Sequence, residues 1–180
     1  MRTGASEWQC GGLEMTEDSS NQGIPASREQ ALQAVRQGGY WLALLPVPWR
    51  DDETIVQEAV AHTGMALEYA SPRLRGSKPV VLAAVAQDGL ALSVADPSLC
   101  ADPDVLRSAA RSNFLVYGFA SRELRADQDF MVDLFRNVVR PQILCGFMPE
   151  EVPQLLDEAL QQRRRDRMAF FQQLHVPEPS

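Results

Sequence analysis

Laid out at a spacing of 25 residues, the chain lines up with itself without a gap, and this period constrains the fold more than any other feature. An apolar pair led by alanine recurs at Ala34-Val35, Ala59-Val60, Ala84-Val85 and Ala109-Ala110, then more loosely at Leu134-Phe135. Glycine follows at Gly39, Gly64 and Gly89, with Phe114 in the fourth copy. Leu42, Leu67 and Leu92 come three residues later, with Tyr117 in the same column, and Leu74, Leu99 and Leu124 close the unit, with Trp49 in theirs. A fixed internal period of this length marks a stacked-repeat architecture. One unit is too small to bury its own apolar face, and several together make a continuous core.

The column that opens each unit holds Ser27, Asp52, Ser77, Asp102 and Asp127. All five carry a short oxygen side chain able to accept hydrogen bonds from the free amides of a first helical turn. Pro79 and Pro103 fall just after it, where a missing amide proton costs nothing. From each cap, apolar residues recur at helical spacing, as in Ile55, Val56, Ala59 and Val60. The glycine is then expected to supply the left-handed residue that ends a helix, with Asn113 taking that role in the fourth copy. A second, shorter helix follows, such as Met65 to Ala70, punctuated by Pro72 or Pro97. The expected fold is therefore all-α: about five tandem helix–turn–helix units forming a short α-solenoid over residues 26–148.

Residues 1–25 are rich in Gly, Ser, Thr, Asn and Gln and are expected to form a disordered tail. They read either as a plain solvated tail or as an uncleaved export signal of the type III secretion kind. Residues 149–175 are expected to hold a helix from about 153 to 174, with a short tail at 176–180. Its apolar positions, Leu155, Leu156, Ala159 and Leu160, then Met168, Phe170, Phe171 and Leu174, flank a basic run, Arg163, Arg164, Arg165 and Arg167. One reading is a capping helix whose solvated middle separates apolar ends packed on the last repeat. Another is a protruding arm whose Phe170, Phe171 and Leu174 dock on a partner or on a second copy, giving a homo-oligomer. A phosphate-binding patch is the third, although it works against the net charge.

A formal charge of −7 repels phosphate backbones and anionic lipid, so neither nucleic acid nor membrane is expected as a direct partner. No apolar run approaches the ~20 residues that span a bilayer, and the first residues lack the charged-then-apolar pattern of a signal peptide, so Sec export is not expected. The three cysteines, Cys10, Cys100 and Cys145, show no C-x-x-C spacing, which reads as a reduced chain without structural zinc. The two histidines, His62 and His175, have no cysteine, histidine or carboxylate at ligand spacing. His62 shares a column with Gln37, Gln87 and Ser112 and reads as a solvated residue near a helix end. Neither a phosphate-binding loop nor a dinucleotide fingerprint is present. The expectation is thus no catalytic residue, no metal and no cofactor.

One cluster departs from the repeat: Tyr40, Trp41 and Trp49, with Pro46 and Pro48, in the first unit. The Trp41 column elsewhere holds Ala66, Ala91 and Val116. A ring there either covers the exposed end of the stack or serves as an aromatic hot spot for a protein partner. Together with Phe170, Phe171 and Leu174, these residues are the candidate partner-binding set, placed at the two ends of the solenoid.

The columns resemble a bacterial family, the domain of unknown function numbered forty-one-sixteen. The likeness rests on Asp52 through Ser77, with Ala59-Val60, Gly64, Ala66-Leu67, Tyr69-Ala70 and Leu74-Arg75. It continues through Ser77 to Asp102, and on to Asp127 with Ala120 and Leu124-Arg125. The resemblance implies the helical-repeat fold and carries no agreed activity. The function expected from it and from the residues is a non-catalytic bacterial protein–protein interaction module. The narrower form is a small regulator linked to type III secretion, either exported itself or sequestering a sigma factor. Two alternatives stand beside it: a secreted effector with a cryptic enzymatic activity, and a structural or oligomerising domain. The expected location is the bacterial cytoplasm, or outside the cell without a cleaved signal peptide.

Overall fold

The structure, a computed structural model, describes Pro25, residues 27–137 and residues 152–174. Among the described residues every regular element is helical. Four complete units and the opening helix of a fifth follow one another at the 25-residue spacing. Each begins with a ten-residue α-helix: Arg28–Gln37, Glu53–His62, Lys78–Gln87, Pro103–Ser112 and Gln128–Asn137. One extended residue follows, then a six-residue 3-10 helix: Gly39–Leu44, Gly64–Tyr69, Gly89–Val94 and Phe114–Phe119. A one-turn helix closes each unit, at Val47–Arg50, Pro72–Arg75, Pro97–Ala101 and Arg122–Ala126.

The second, shorter helix of each unit is a 3-10 helix. Three residues per turn line up side chains at i and i+3. The column spacing Gly39/Leu42, Gly64/Leu67 and Gly89/Leu92 meets that period, so the glycine and the leucine share one inward line. The long helices pack on their successors and form one layer; the 3-10 helices do the same and form a second. Between them lies the core. It contains Val35, Leu42, Ile55, Val56, Leu67, Val80, Val81, Leu92, Val105 and Leu106, all at most 1% exposed. Burying side chains of this size stabilises by about 1.5–3 kcal/mol each.

The cap column behaves as expected at four of five positions. The Ser27 hydroxyl accepts from the Gln30 amide, and Asp52 accepts from Thr54 and Ile55. Asp102 accepts from Asp104 and Val105, and Asp127 from Phe130. Ser77 makes no capping bond through its side chain. Pro79 explains this: it occupies the second helical position, where the amide that Asp52 and Asp102 use is absent, whereas Pro103 sits harmlessly at the first. The cap carboxylates also join neighbouring units, through Arg28–Asp52 at 2.7 Å and Lys78–Asp102 at 2.7 Å.

The glycine column has a different role from the one the sequence suggests. The residues that end the long helices, Gly38, Thr63, Asp88 and Asn113, are all extended, with φ from −141° to −178°, so none is left-handed. The glycines instead let two backbones meet. A Cβ on Gly39 would lie 2.3 Å from the Ala59 carbonyl oxygen, and on Gly64 and Gly89 it would lie 2.5 Å from those of Ala84 and Ala109. In each case the 3-10 helix of one unit presses on the long helix of the next. The freed amides are satisfied by side chains of that next helix end. Gly39 N–H donates to Thr63 Oγ1 (3.3 Å), Gly64 N–H to Gln87 Oε1 (2.6 Å) and Gly89 N–H to Ser112 Oγ (2.7 Å). The His62 column is therefore an inter-unit acceptor at Gln87 and Ser112, while His62 itself is exposed and Thr63 takes its place. On the far edge, Ser71 N–H donates to Arg50 O, Asp96 N–H to Arg75 O and Ser121 N–H to Cys100 O, one backbone stitch per junction.

Candidate partner-binding face

Across the 3-10 layer lies the C-terminal helix, Val152–Gln173. It runs opposite to the order of the units. It touches the fourth 3-10 helix, Phe114–Phe119. Further along, Arg163 meets Asp88, Arg167 meets Glu68, and Phe170 and Phe171 reach Tyr40, Trp41 and Tyr69. Residues 160, 163, 167, 170, 171 and 174 recur at three- and four-residue steps, so they share one face. That face is the one turned to the repeat: Phe171 is buried, and Leu160, Arg163, Arg167, Phe170 and Leu174 are half-buried.

The C-terminal apolar end of this helix, at Phe170 and Phe171, packs on the first and second units, whereas the capping reading expects both apolar ends on the last repeat; the helix touches the fourth unit as well. It brings together residues that the sequence analysis places at opposite ends of the molecule. The Phe170 ring sits 5.6 Å from Tyr40, tilted, and 6.1 Å from Trp41, edge-on at 87°. The Phe171 ring meets Tyr69 edge-on at 6.3 Å. Such pairs are worth about 0.5–1.5 kcal/mol beyond the area they bury. Trp41 is 9% exposed and Phe171 2%, so both are interior rather than partly exposed residues. Trp49 and Leu174 are half-buried against the same core.

The basic run also divides. Arg163 Nε donates to Asp88 Oδ2 at 2.6 Å, and Arg167 donates to Glu68 Oε2. The Asp88 bond raises the Arg163 guanidinium above its ordinary value. Arg164 and Arg165 are exposed, and Arg165 donates to Gln162 on its own helix. Asp88 is the one buried charged side chain among the described residues, at 8% exposure. Its other oxygen accepts from the Leu90 amide at 3.1 Å, so the carboxylate both starts a 3-10 helix and receives an arginine. Burial raises the Tyr40 phenol above its ordinary value, partly offset by Arg167 and Arg163 nearby.

Asp88, Glu68 and Tyr69 are the residues that sequence reasoning passes over. A signal for Glu68 exists: its column otherwise holds Ala43, Ser93 and Gly118, so a long carboxylate there is an outlier. Asp88 is harder to see, because its column is polar elsewhere too, with Thr63 and Asn113.

For other chemistry the described residues offer little. They contain no group of three His, Cys, Asp or Glu side chains able to hold a metal ion. Cys100 is a free, half-buried thiol whose pKa is raised by desolvation and by Asp96. Cys10, Cys145 and His175 lie outside the described residues, as do the tails at 1–24 and 176–180. No helix among the described residues is long and apolar enough to cross a membrane.

Two adjacent stretches, 27–75 and 77–125, match the family model described as Domain of unknown function (DUF4116), and together they cover more than half the chain. The chain belongs to the DUF4116 family. Each matched stretch spans two of the 25-residue units, so the family's repeat is a pair of structural ones. No curated protein and no solved structure matches the chain. The C-terminal helix lies outside both DUF4116 stretches, while Glu68 and Asp88 fall one in each.

Proposed function

We propose that this DUF4116 chain is a protein–protein interaction module that acts by binding, and that the outer side of its 3-10 layer is the binding surface. One observation carries the reading: this surface already receives an amphipathic helix, through two arginine–carboxylate pairs and a nest of aromatic rings. Surfaces that combine desolvated aromatic rings with charged pairs are those where binding energy concentrates. Tandem repeats supply them in quantity, because each unit adds the same layer again. Tyr40, Trp41 and Tyr69, the rings that meet Phe170 and Phe171, form the apolar part of the surface, and Glu68 and Asp88 its acidic part.

The narrower form of the proposal is a bacterial regulator linked to type III secretion, exported or sequestering a sigma factor. The −7 charge supports an acidic module that meets a basic protein, and the Gly- and Ser-rich composition of residues 1–24 supports export. The test of the broad reading is affinity purification of the full chain beside its Glu68→Arg/Asp88→Asn variant, with both shown to be folded by circular dichroism. At least one co-purifying protein should depend on the two carboxylates. An identical set of proteins from both chains contradicts the assignment of this surface.

A further inference from the structure

We infer that the 3-10 face accepts from a partner protein an amphipathic helix with basic and aromatic residues in the order Arg-x-x-x-Arg-x-x-Phe-Phe, and that the chain's own C-terminal helix occupies this seat as an internal competitor. The inference rests on the binding-module reading and adds to it the chemistry of the partner and the way access is controlled.

The seat is selective. Glu68 belongs to the second 3-10 helix and Asp88 to the residue before the third, and they receive Arg167 and Arg163, two side chains one helical turn apart. Beyond them, Tyr40, Trp41 and Tyr69 surround the two phenylalanine rings. Asp88 defines the sign of the ligand. A buried carboxylate requires a cation and hydrogen bonds to offset its desolvation. The Leu90 amide meets one oxygen, and the guanidinium meets the other. An acidic or purely apolar helix would leave that oxygen buried and unpaired. The excess of negative charge over the whole chain steers a basic segment toward the same face.

The present occupant is thinly held. Each complete long helix of units two to four buries four apolar side chains, for example Ile55, Val56, Ala59 and Val60. On the C-terminal helix, Phe171 is the one buried side chain among those described, and Gln161, Gln162, Arg164, Arg165, Met168 and Gln172 all face solvent. A partner helix with the same inward face could match these contacts and take the seat. Its apparent affinity would be lowered by the fraction of time that the internal helix is bound, and removing the competitor would raise it.

The experiment uses a fluorescein-labelled synthetic peptide of residues 157–174, titrated into the full chain and followed by anisotropy. In the Arg163→Glu/Arg167→Glu chain the internal helix is repelled by Glu68 and Asp88, and the peptide should bind at least about tenfold more tightly than to the wild type. Adding Asp88→Asn keeps an acceptor for the Leu90 amide while removing the charge. In that background at least about tenfold of the affinity should be lost. A peptide carrying Glu in place of both arginines should bind only weakly. Circular dichroism and melting of each chain establish that the repeats stay folded. Equal peptide affinity for wild type and charge-reversed chains overturns the inference, as does binding indifferent to Asp88. If the wild type sediments as a dimer that the Arg163→Glu/Arg167→Glu chain cannot form, the seat belongs to a second copy, which also overturns it. Each of these results leaves the broader binding-module reading to the affinity purification, where it fails or stands separately.

Discussion

The 3-10 layer is contacted from both sides, and the two contacts are of opposite kinds. On its inner side it meets the long helices of successive units backbone to backbone. Glycine replaces any side chain where Gly39, Gly64 and Gly89 face the carbonyls of Ala59, Ala84 and Ala109, and each glycine amide is satisfied by a side chain of the next unit. On its outer side the C-terminal helix packs along the fourth 3-10 helix and reaches the first three units through the ends of long side chains, two guanidinium groups and two phenyl rings. The inner contact leaves no room for adjustment, because a methyl group is already too large. The outer one is made of parts that can separate and re-form. The difference teaches that the same layer is rigid architecture on one face and the seat of the C-terminal helix on the other.

That contrast leads to a graded set of expectations. The largest effect should come from the inner side: Leu67→Ala removes a fully buried side chain and should cost about 2–5 kcal/mol, read from urea melts. Gly64→Ala should cost about 1–3 kcal/mol by overpacking against the Ala84 carbonyl. Gly76→Ala is its control, since the nearest atoms there lie 3.7 Å from the added carbon, and it should stay within about 0.5 kcal/mol of wild type. Equal melts for the two glycine variants would remove the close-approach account.

Among the caps, Asp102→Ala should cost about 0.5–2 kcal/mol. Ser77→Ala should cost clearly less, because the Ser77 side chain makes no capping bond. Comparable losses at both positions would show that the proline at the second helical position is not what separates them.

The smallest effect is one of pH. A hydrogen bond from Arg28 holds the Asp52 carboxyl below its ordinary value, and Lys78 does the same for Asp102. A carboxyl depressed in the folded state binds fewer protons there than in the unfolded chain. Its stabilisation is complete above the ordinary Asp value of about 3.9 and is lost as pH falls through the lowered folded values. Melting temperature should therefore drop on acidification below about pH 4. Asp52→Asn should flatten part of that drop, and an unchanged acid profile would contradict the inter-unit pairing.

Much of this architecture is legible in the sequence. The period, the long helices and the caps at Asp52 and Asp102 follow from column identity and from the chemistry of free helical amides. The glycine column is ambiguous for a physical reason. Ending a helix in a left-handed residue and admitting a close backbone both call for glycine, and only the position of a carbonyl 20 residues later tells them apart. Spacing within one unit carries no such information.

The outer side was less legible. Arg163, Arg164, Arg165 and Arg167 look like one basic run, yet helical geometry turns the first and last inward and leaves the middle two in water. The face shared by Leu160, Arg163, Arg167, Phe170 and Leu174 could be read from the sequence. Its destination could not, because that depends on Asp88 and Glu68, residues 75 and 99 positions away along the chain.

The central claim is that the C-terminal helix is a separable occupant of a folded receptor, and native-state hydrogen exchange tests it most directly. Amides in residues 160–173 should be protected in the wild type, yet open at a lower free energy than those of Glu53–His62 and Lys78–Gln87. Asp88→Asn should lower protection in 160–173 while leaving the two long helices unchanged. Exchange in 160–173 that matches the long helices in both proteins, or that is unprotected in the wild type, would contradict the claim.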